Sequence, residues 1–373
     1  MLVSVRDLGK RYGGVVALQG MSLDVRRGQI HAVVGENGAG KSTLMKILAG
    51  IVRPDHGSIV LEGETVTIDS PQAARRRGIG IVHQELSLFP QRSVLANLFV
   101  NREPTRAGMI SLRAMEERSR DLLEQLGLDV DVRAPLEGLS IGERQLVELC
   151  RVLLEQPRLL ILDEPNSALN ERETNRLFAV LDRLCRSGIT MLYVSHRLEE
   201  VFAIAHCVTV TRGGRAVLTR DRDGLTIPEV IEAMIGAPPD ALFPPALPRR
   251  PGTRPDKLVV RDLSGGPLRG VALTAQPGEI VGLAGIEGAG TADLLAMLFG
   301  REKPRSGEVV FPDGRGLPRD TTAAARRGIC LVPADRRRQG LMLDKSIVFN
   351  LGHVVFGARR GGLAWYSQRN QAQ

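Results

Sequence analysis

The strongest constraint on the fold is a glycine-rich loop that occurs twice in the chain. The segments GENGAGKST and GIEGAGTAD begin at Gly35 and Gly285, 250 residues apart, and they align glycine for glycine. The second copy has Thr291 and Ala292 in place of the lysine and serine of the first. A duplicated loop of this kind predicts two related domains, one of which has lost its charged residue.

The same spacing relates other parts of the chain. The segment ARRRGIGIV at 74–82 returns as AARRGICLV at 324–332, and no insertion interrupts the offset. Residues 237–256, between the copies, are rich in proline, which favours an extended linker over a packed element. We therefore expect a first domain over residues 1–236 and an incomplete second domain over residues 257–373.

The composition narrows the class of protein. Hydrophobic residues make up 43% and charged residues 25% of the chain, which is ordinary for a soluble globular protein. The four cysteines form no CxxC pair, which favours reduced thiols over disulfides or a metal site. The net charge of +8 would suit nucleic acid, but aromatic residues are 3% of the chain and supply few stacking surfaces. We expect no nucleic-acid partner.

Short apolar runs predict a parallel sheet. The segments IHAVV (30–34), RLLILDE (158–164) and TMLYVSH (190–196) are apolar along most of their length, which is typical of strands covered on both faces. The first run leads into the glycine loop, and the segment KSTLMKILAG after the loop has helical periodicity. The order predicts an α/β nucleotide-binding core.

The first glycine loop has the residues that a nucleoside triphosphate requires. Its glycines let the backbone wrap around the phosphates, so that N–H groups and a helix N-terminus point at the anion. Lys41 supplies positive charge and Ser42 is suited to bind Mg²⁺. Asp163 is suited to hold the same Mg²⁺ through water, and Glu164 to orient or deprotonate an attacking water. The predicted phosphate-binding residues are Gly35, Asn37, Gly38, Ala39, Gly40, Lys41, Ser42 and Thr43. ATP and Mg²⁺ are the expected cofactors.

A further motif gives a family resemblance. The segment LSIGERQ (139–145) precedes LLILDE and resembles the signature motif of ATP-binding cassette (ABC) proteins. The resemblance extends to three further features: Gln84 in IVHQELSLFP, the segment SALN at 167–170 and His196 in YVSHRLEE. More closely, the chain resembles the tandem ATPase subunits of bacterial importers for ribose, galactose, xylose and similar sugars over essentially its whole length. This resemblance implies two tandem P-loop ABC ATPase domains, each with a mainly parallel sheet core and a helical subdomain, the second incomplete.

The resemblance also implies roles for individual residues. Tyr12 resembles the aromatic residue that stacks on adenine, although an aromatic packed within a β-hairpin is the alternative. Ser140 and Gly142 resemble the signature groups that close on the γ-phosphate of the opposite domain, and Ser140 also suits a helix N-cap. Glu143, where glutamine is usual, adds negative charge there. The expected catalytic residues are Glu164, Gln84 and His196, and the expected Mg²⁺ ligands are Ser42, Gln84 and Asp163.

The implied function is that of an ATP-hydrolysing importer subunit at the cytoplasmic face of the membrane. Its implied partners are membrane permease subunits and, indirectly, a periplasmic or extracellular sugar-binding protein. We expect part of the segment 86–100, around Leu88, Phe89 and Leu95, to receive a permease helix. The alternative is that these residues belong to the core of the helical subdomain, and for Leu95 the two carry equal weight. Two alternatives are a soluble tandem ABC ATPase acting on ribosomes or nucleic acid, and a truncated remnant that couples to nothing. Soluble tandem proteins usually keep both loops intact and have a longer charged linker.

The second copy lacks further parts of a site. By the repeat offset, the counterparts of Ser140 and Glu164 would fall at positions 390 and 414, beyond Gln373. An ABC nucleotide lies between the phosphate loop of one domain and the signature of the other. We therefore expect either a truncated product or pairing of the first domain with a second copy of the chain, and no hydrolysis by the second domain.

Overall fold

The structure is a computed structural model of the chain. It describes residues 1–83, 87–106, 108–167, 169–238, 257–286 and 288–358, and no side chain is described at 336–337 or 353–358. The predicted linker therefore lies almost entirely outside the described residues, as does Gln84. The chain forms two compact units, Met1–Leu247 and Pro248–Gln373.

The first unit alternates strands and helices. Its strands are β1 (Val3–Tyr12), β2 (Val15–Val25), β3 (Ile30–Gly35), β4 (His56–Leu61), β5 (Glu64–Val66), β6 (Ile79–Val82), β7 (Thr105–Arg106), β8 (Met109–Ile110), β9 (Leu159–Asp163), β10 (Thr190–Val194), β11 (Cys207–Arg212) and β12 (Arg215–Asp221). Its α-helices are α1 (Lys41–Leu48), α2 (Pro71–Arg76), α3 (Val94–Leu98), α4 (Leu112–Gln125), α5 (Ile141–Leu153), α6 (Glu171–Arg186), α7 (Leu198–Ile204) and α8 (Ile227–Ile235).

Two larger sheets organise the described part of this unit. An antiparallel sheet has the order β2-β1-β4-β5. The second sheet has the order β12-β11-β3-β10-β9-β6, and all its pairs are parallel except β11 with β12. The three apolar runs are β3, β9 and β10 of this sheet, so the prediction of a parallel α/β core is confirmed for the first unit.

The parallel sheet separates two hydrophobic cores. Met191 and Tyr193 of β10 face a core shared with α5 and α6, whereas Leu192 and Val194 face a core shared with α1 and the antiparallel sheet. Successive residues of a strand point to opposite faces, and both faces here are covered. A strand in this position is apolar at most of its residues, which explains the long apolar runs. His31 of β3 is a buried polar exception.

The helices α3, α4 and α5 pack on one another and correspond to the predicted helical subdomain. Leu95 is 2% exposed and lies in the core that these helices share. For Leu95 the alternative, a place in the core of the helical subdomain, is therefore the one that the structure supports, because its side chain is already enclosed. Phe89 is 54% exposed, so its side chain is accessible at the surface.

The second unit has a different sheet. Its elements are β13 (Leu258–Gly265), β14 (Leu268–Ala275), α9 (Thr291–Leu298), β15 (Ser306–Val310), α10 (Thr321–Arg326) and α11 (Ile347–Ala358). The strands form an antiparallel sheet of order β14-β13-β15. Among the described residues of this unit there is no parallel strand pair, so the prediction of a parallel sheet core in each domain is wrong here.

The physical reason lies in the counterpart of β3. Residues 280–285 correspond to β3 by the repeat offset, yet they form no strand, and Ile280 is 98% exposed. In the first unit β3 pairs with β10 and β11. A strand needs neighbouring strands to satisfy its backbone hydrogen bonds, and this segment has none in the described structure.

None of the helices described here combines the length and the apolar character that crossing a membrane requires.

Candidate functional site

The first glycine loop contains backbone positions that only glycine can occupy without strain. Gly38 and Gly40 have φ angles of 85° and 96°, in the left-handed region. A Cβ added to Gly40 would lie 2.7 Å from the carbonyl oxygen of Ala17, which is too close for any side chain. Gly40 is the N-cap of α1. The loop therefore curves tightly into the helix N-terminus, where backbone N–H groups are free to bind an anion.

Lys41 is buried at the base of this loop. Its side chain is 6% exposed, and Nζ donates to the carbonyl oxygens of Gly35, at 2.7 Å, and Glu36, at 3.0 Å. Burial lowers the pKa of Lys41, while the charges of Glu164 and Asp163 act in the opposite direction. The ammonium group is thus held beside the loop and two carboxylates, as a phosphate-binding lysine requires.

A cleft of about 900 Å³ opens above the loop. It is lined by Tyr12, Val15, Val16, Ala17, Gly35, Glu36, Asn37, Gly38, Gly40, Lys41, Ser42, Thr43, Glu164, His196 and Met234. The structure therefore brings the predicted loop residues together with Tyr12, Glu164 and His196. Ala39 differs from the other predicted loop residues, because it is buried beneath the loop and does not line the cleft.

Five cleft residues were not predicted from the sequence: Val15, Val16, Ala17, Glu36 and Met234. Val15 and Val16 begin β2 beside Tyr12, and they are 67% and 39% exposed. Two neighbouring β-branched residues after a turn read as an ordinary strand start. Met234 comes from α8, far along the chain from the glycine loop at 35–43. No local pattern in the sequence connects α8 to the cleft.

Glu164 and His196 form a pair at the carboxyl ends of two strands of the parallel sheet. They follow β9 and β10, which are parallel neighbours. His196 Nδ1 lies 3.1 Å from Glu164 Oε1. Glu164 has a φ angle of 49°, and its N–H donates to the carbonyl of Val194 at 2.9 Å. The left-handed turn at Glu164 directs its carboxylate away from the strand and into the cleft.

The oxygen donors near the loop suit Mg²⁺. Asp163 ends β9 and is half-buried; burial and then the charge of Glu164 raise the pKa of this carboxyl. Ser42 lies in the cleft. Within the described residues no group of three or more His, Cys, Asp or Glu side chains forms a metal site. A hydroxyl, a carboxylate and phosphate oxygens are the hard ligands that Mg²⁺ accepts, so these residues fit the ion.

The segment after Gln84 is fastened to helix α5. Arg151 Nη1 donates to the carbonyl of Ser87 at 2.6 Å, and the N–H of Ser87 donates to Glu148 Oε1 at 3.4 Å. Glu148 is fully buried, and this burial raises its pKa. Arg151 pairs with Glu148 at 3.0 Å. Ser87, three residues after Gln84, is therefore anchored to helix α5, which carries part of the signature motif.

Ser140 is the N-cap of α5. Its hydroxyl accepts from the N–H of Glu143 at 3.2 Å, and the Glu143 carboxylate accepts from the N–H of Ser140 at 2.8 Å. This reciprocal arrangement is a capping box. The expected N-cap is confirmed, and the departure at Glu143 has a local structural role.

The signature residues lie apart from the phosphate loop. Ser140 and Gly142 do not line the cleft but face a separate cavity of about 30 Å³ between α5 and α6. A Cβ on Gly142 would lie 2.7 Å from Glu173 Oε1, so any larger residue here would require the Glu173 side chain to move. Within the first unit, the structure does not bring the signature to the cleft.

The second glycine loop keeps the backbone shape of the first. Gly288 and Gly290 have φ angles of 81° and 93°. Gly290 is the N-cap of α9, as Gly40 is of α1. The helix begins with Thr291 and Ala292, so the loop has neither the ammonium group nor the hydroxyl of the first copy.

A glycine loop between a buried parallel strand and a helix, with carboxylates after a neighbouring strand, defines a P-loop nucleotide-binding domain. The family model described as ABC transporter matches residues 18–167 and 268–368. The chain belongs to the ABC transporter family, whose ATP-binding proteins bind and hydrolyse ATP.

Similar curated proteins extend this result. The ribose import ATP-binding protein RbsA of Rhodococcus jostii is 42% identical over 352 residues, which are 94% of this chain and 69% of that protein. A putative ribose/galactose/methyl galactoside import ATP-binding protein of Burkholderia ambifaria is 39% identical over 97% of this chain and 70% of its own length. A nucleotide-free ATP-binding cassette from an ABC transporter is 26% identical with a TM-score of 0.56, over 62% of this chain and 98% of that chain.

Proposed function

We propose that this chain is the ATP-hydrolysing subunit of an importer for ribose or a related small sugar. The observation that carries the ATPase function is the cleft in which Lys41 and the Glu164–His196 pair meet the glycine loop. The names of the relatives, which match 94% and 97% of this chain, support sugar import as the process that hydrolysis drives.

The predicted site residues have the following proposed tasks. The loop N–H groups and Lys41 bind the phosphates, and Tyr12 packs on the base. Glu164 orients the attacking water and accepts its proton, and His196 contacts the γ-phosphate. Bound Mg²⁺ supplies positive charge to the phosphate oxygens, and Ser42, Asp163 and Gln84 are its proposed protein ligands.

The separation of the signature from the cleft supports pairing between two copies of the chain. Ser140 lies at an exposed helix start and does not line the cleft of its own unit. We propose that Ser140 and Gly142 of one copy close on the nucleotide of the other. The second glycine loop binds the phosphates of a nucleotide weakly through its backbone and does not hydrolyse the nucleotide.

The proposed location is the cytoplasmic face of the membrane, against permease subunits that work with a periplasmic or extracellular sugar-binding protein. Phe89 is exposed beside the segment that α5 anchors, which makes it a suitable contact for a permease helix. A soluble ATPase acting on ribosomes or nucleic acid is not favoured by the relatives.

Reconstitution tests the proposed function. When the chain is purified with the permease subunits and the sugar-binding protein of a ribose importer and placed in vesicles, we expect added ribose or a related sugar to stimulate ATP hydrolysis. The Glu164→Gln chain in the same vesicles is the control for background hydrolysis. Sugar-independent hydrolysis together with copurification of ribosomes would favour the soluble alternative.

A mixing experiment tests the pairing of two copies. Lys41→Ala damages the phosphate loop and Ser140→Arg blocks the signature, so each chain alone is expected to be inactive. A mixed pair contains one intact site, and random pairing of equal amounts is expected to restore about a quarter of the wild-type rate. Failure to recover activity, with a wild-type rate strictly proportional to protein concentration, would contradict pairing between chains.

A further inference from the structure

A chain of hydrogen bonds links the turn after Glu164 to the loop that carries His196. Asn166 Nδ2 donates to the hydroxyl oxygen of Tyr193 at 3.1 Å, and that hydroxyl donates to Glu200 Oε2 at 3.2 Å. All three side chains are buried: Asn166 is 2%, Tyr193 0% and Glu200 6% exposed. The three residues come from a turn, a strand and a helix that are separate in sequence, so the network ties these elements together.

On one side, the network holds the backbone around His196. The hydroxyl of Ser195 donates to the same Glu200 oxygen at 3.1 Å and accepts from the N–H of Arg197 at 3.0 Å. Arg197 Nη1 also lies 2.7 Å from Glu200 Oε1. The residues before and after His196 are therefore both fastened to Glu200, at the buried side of α7.

On the other side, the network holds the turn after Glu164. Asn166 follows Glu164 by two residues, and its carbonyl accepts from the N–H of Leu169 at 3.1 Å. The N–H of Ser167 donates to the carbonyl of Glu164 at 3.3 Å. The backbone of this turn is thus defined by short-range bonds, and the Asn166 side chain fixes the turn to Tyr193 of the neighbouring strand.

The composition of this network argues for a role beyond stability. Burying polar groups costs free energy unless each is fully bonded, and Asn166 Oδ1 has no hydrogen-bond partner within the described structure. An apolar side chain of similar size would avoid that cost. Buried polar networks instead favour one arrangement of the groups that they join. The groups joined here carry the two members of the 3.1 Å Glu164–His196 contact.

We propose that Asn166, Tyr193 and Ser195 are positioning residues that hold the Glu164 carboxylate against His196 during ATP hydrolysis. The proposal rests on the catalytic roles proposed above for Glu164 and His196. A displacement of about 1 Å at a catalytic group costs on the order of 100-fold in rate, so the loss of one bond in the network is expected to lower kcat without weakening the binding of ATP.

Tyr193→Phe is the sharpest single test. The Tyr193 ring makes an edge-to-face contact with Phe178, at 6.5 Å between centroids, and phenylalanine preserves this contact while removing the hydroxyl. We expect kcat to fall about tenfold with KM for ATP unchanged. Thr209→Val is the matched control, because it removes another buried hydroxyl of the same sheet, which lies 2.8 Å from His31 Nε2. We expect Thr209→Val to lower the Tm by a similar amount and to leave kcat unchanged.

A double variant separates positioning from general destabilisation. Asn166→Leu should also slow turnover, and the double variant Asn166→Leu/Tyr193→Phe should be about as slow as Tyr193→Phe alone, because removal of the Tyr193 hydroxyl already breaks the bond to Asn166. Thermal unfolding identifies any variant that does not fold, and the other single variant then decides.

Two results would overturn the proposal. One is wild-type kcat in a folded Tyr193→Phe or Asn166→Leu chain, and the other is an equal loss of kcat in Thr209→Val. Glu164→Gln, measured in parallel, distinguishes a failure of the proposed catalytic site from a failure of the positioning role. Full turnover by Glu164→Gln would contradict the proposed catalytic site itself, whereas an inactive Glu164→Gln beside a fully active Tyr193→Phe would contradict the positioning role alone.

Discussion

Replacing Glu164 by glutamine is expected to abolish ATP turnover and to leave ATP binding intact. Glutamine has nearly the same size as glutamate and can still bond His196, but it accepts no proton from water. Removing a general base typically costs about 10²- to 10⁴-fold in rate, and we expect a loss of kcat in this range. Lys41 and the glycine loop are unchanged, so ATP affinity should stay within about twofold. Steady-state hydrolysis and nucleotide titration measure the two quantities.

Glu171→Gln is the matched control for this variant. Glu171 is the exposed first residue of α6, and the substitution removes the same charge outside the cleft. We expect wild-type turnover. A loss of ATP affinity in Glu164→Gln as large as that caused by removing Lys41 would show that Glu164 binds nucleotide and does not act on water.

Lys41→Ala is expected to act through binding. At about 4 Å from a phosphate oxygen, an ammonium group contributes on the order of a few kcal/mol at an effective dielectric constant near 20. Each ~1.4 kcal/mol is a factor of ten in affinity, so we expect ATP to bind about 100-fold more weakly. The substitution also leaves the carbonyls of Gly35 and Glu36 without their ammonium donor. Titration with a slowly hydrolysed ATP analogue measures the loss.

Lys46→Ala provides the control, because Lys46 is an exposed lysine on the same helix. Its removal changes the net charge by the same amount and is expected to leave affinity unchanged. Equal losses of affinity in the two variants would mean that the overall field, and not the position of Lys41 in the loop, attracts the nucleotide.

The phosphate loop and its chemistry were predictable from the sequence because both depend on neighbouring residues. Glycines that adopt positive φ, a lysine and a serine at the following helix start, and a fully apolar strand before them all occur within one short segment. The positions of Asp163 and Glu164 at the end of another apolar strand were predictable in the same way, and their roles are those proposed above. Such patterns act through local backbone geometry, and the structure of the first unit agrees with them.

The second glycine loop shows the limit of local patterns. Its backbone matches the first loop at Gly288 and Gly290, yet residues 280–285 before it do not form the strand that the apolar pattern predicts. Whether an apolar segment becomes a strand depends on the strands beside it, because its N–H and C=O groups need partners from other parts of the chain.

The sequence by itself determined that one glycine loop has a lysine and a serine after it and that the second loop has neither, because these residues all lie within one short segment of each copy. Only the tertiary structure decided which distant residues meet at the loop. Met234 reaches the cleft from α8, and Asn166, in the turn after β9, reaches Tyr193 of the neighbouring strand β10. Parallel strand order and buried side-chain contacts join segments far apart in the chain, and these long-range contacts are selected by the packing of the whole domain.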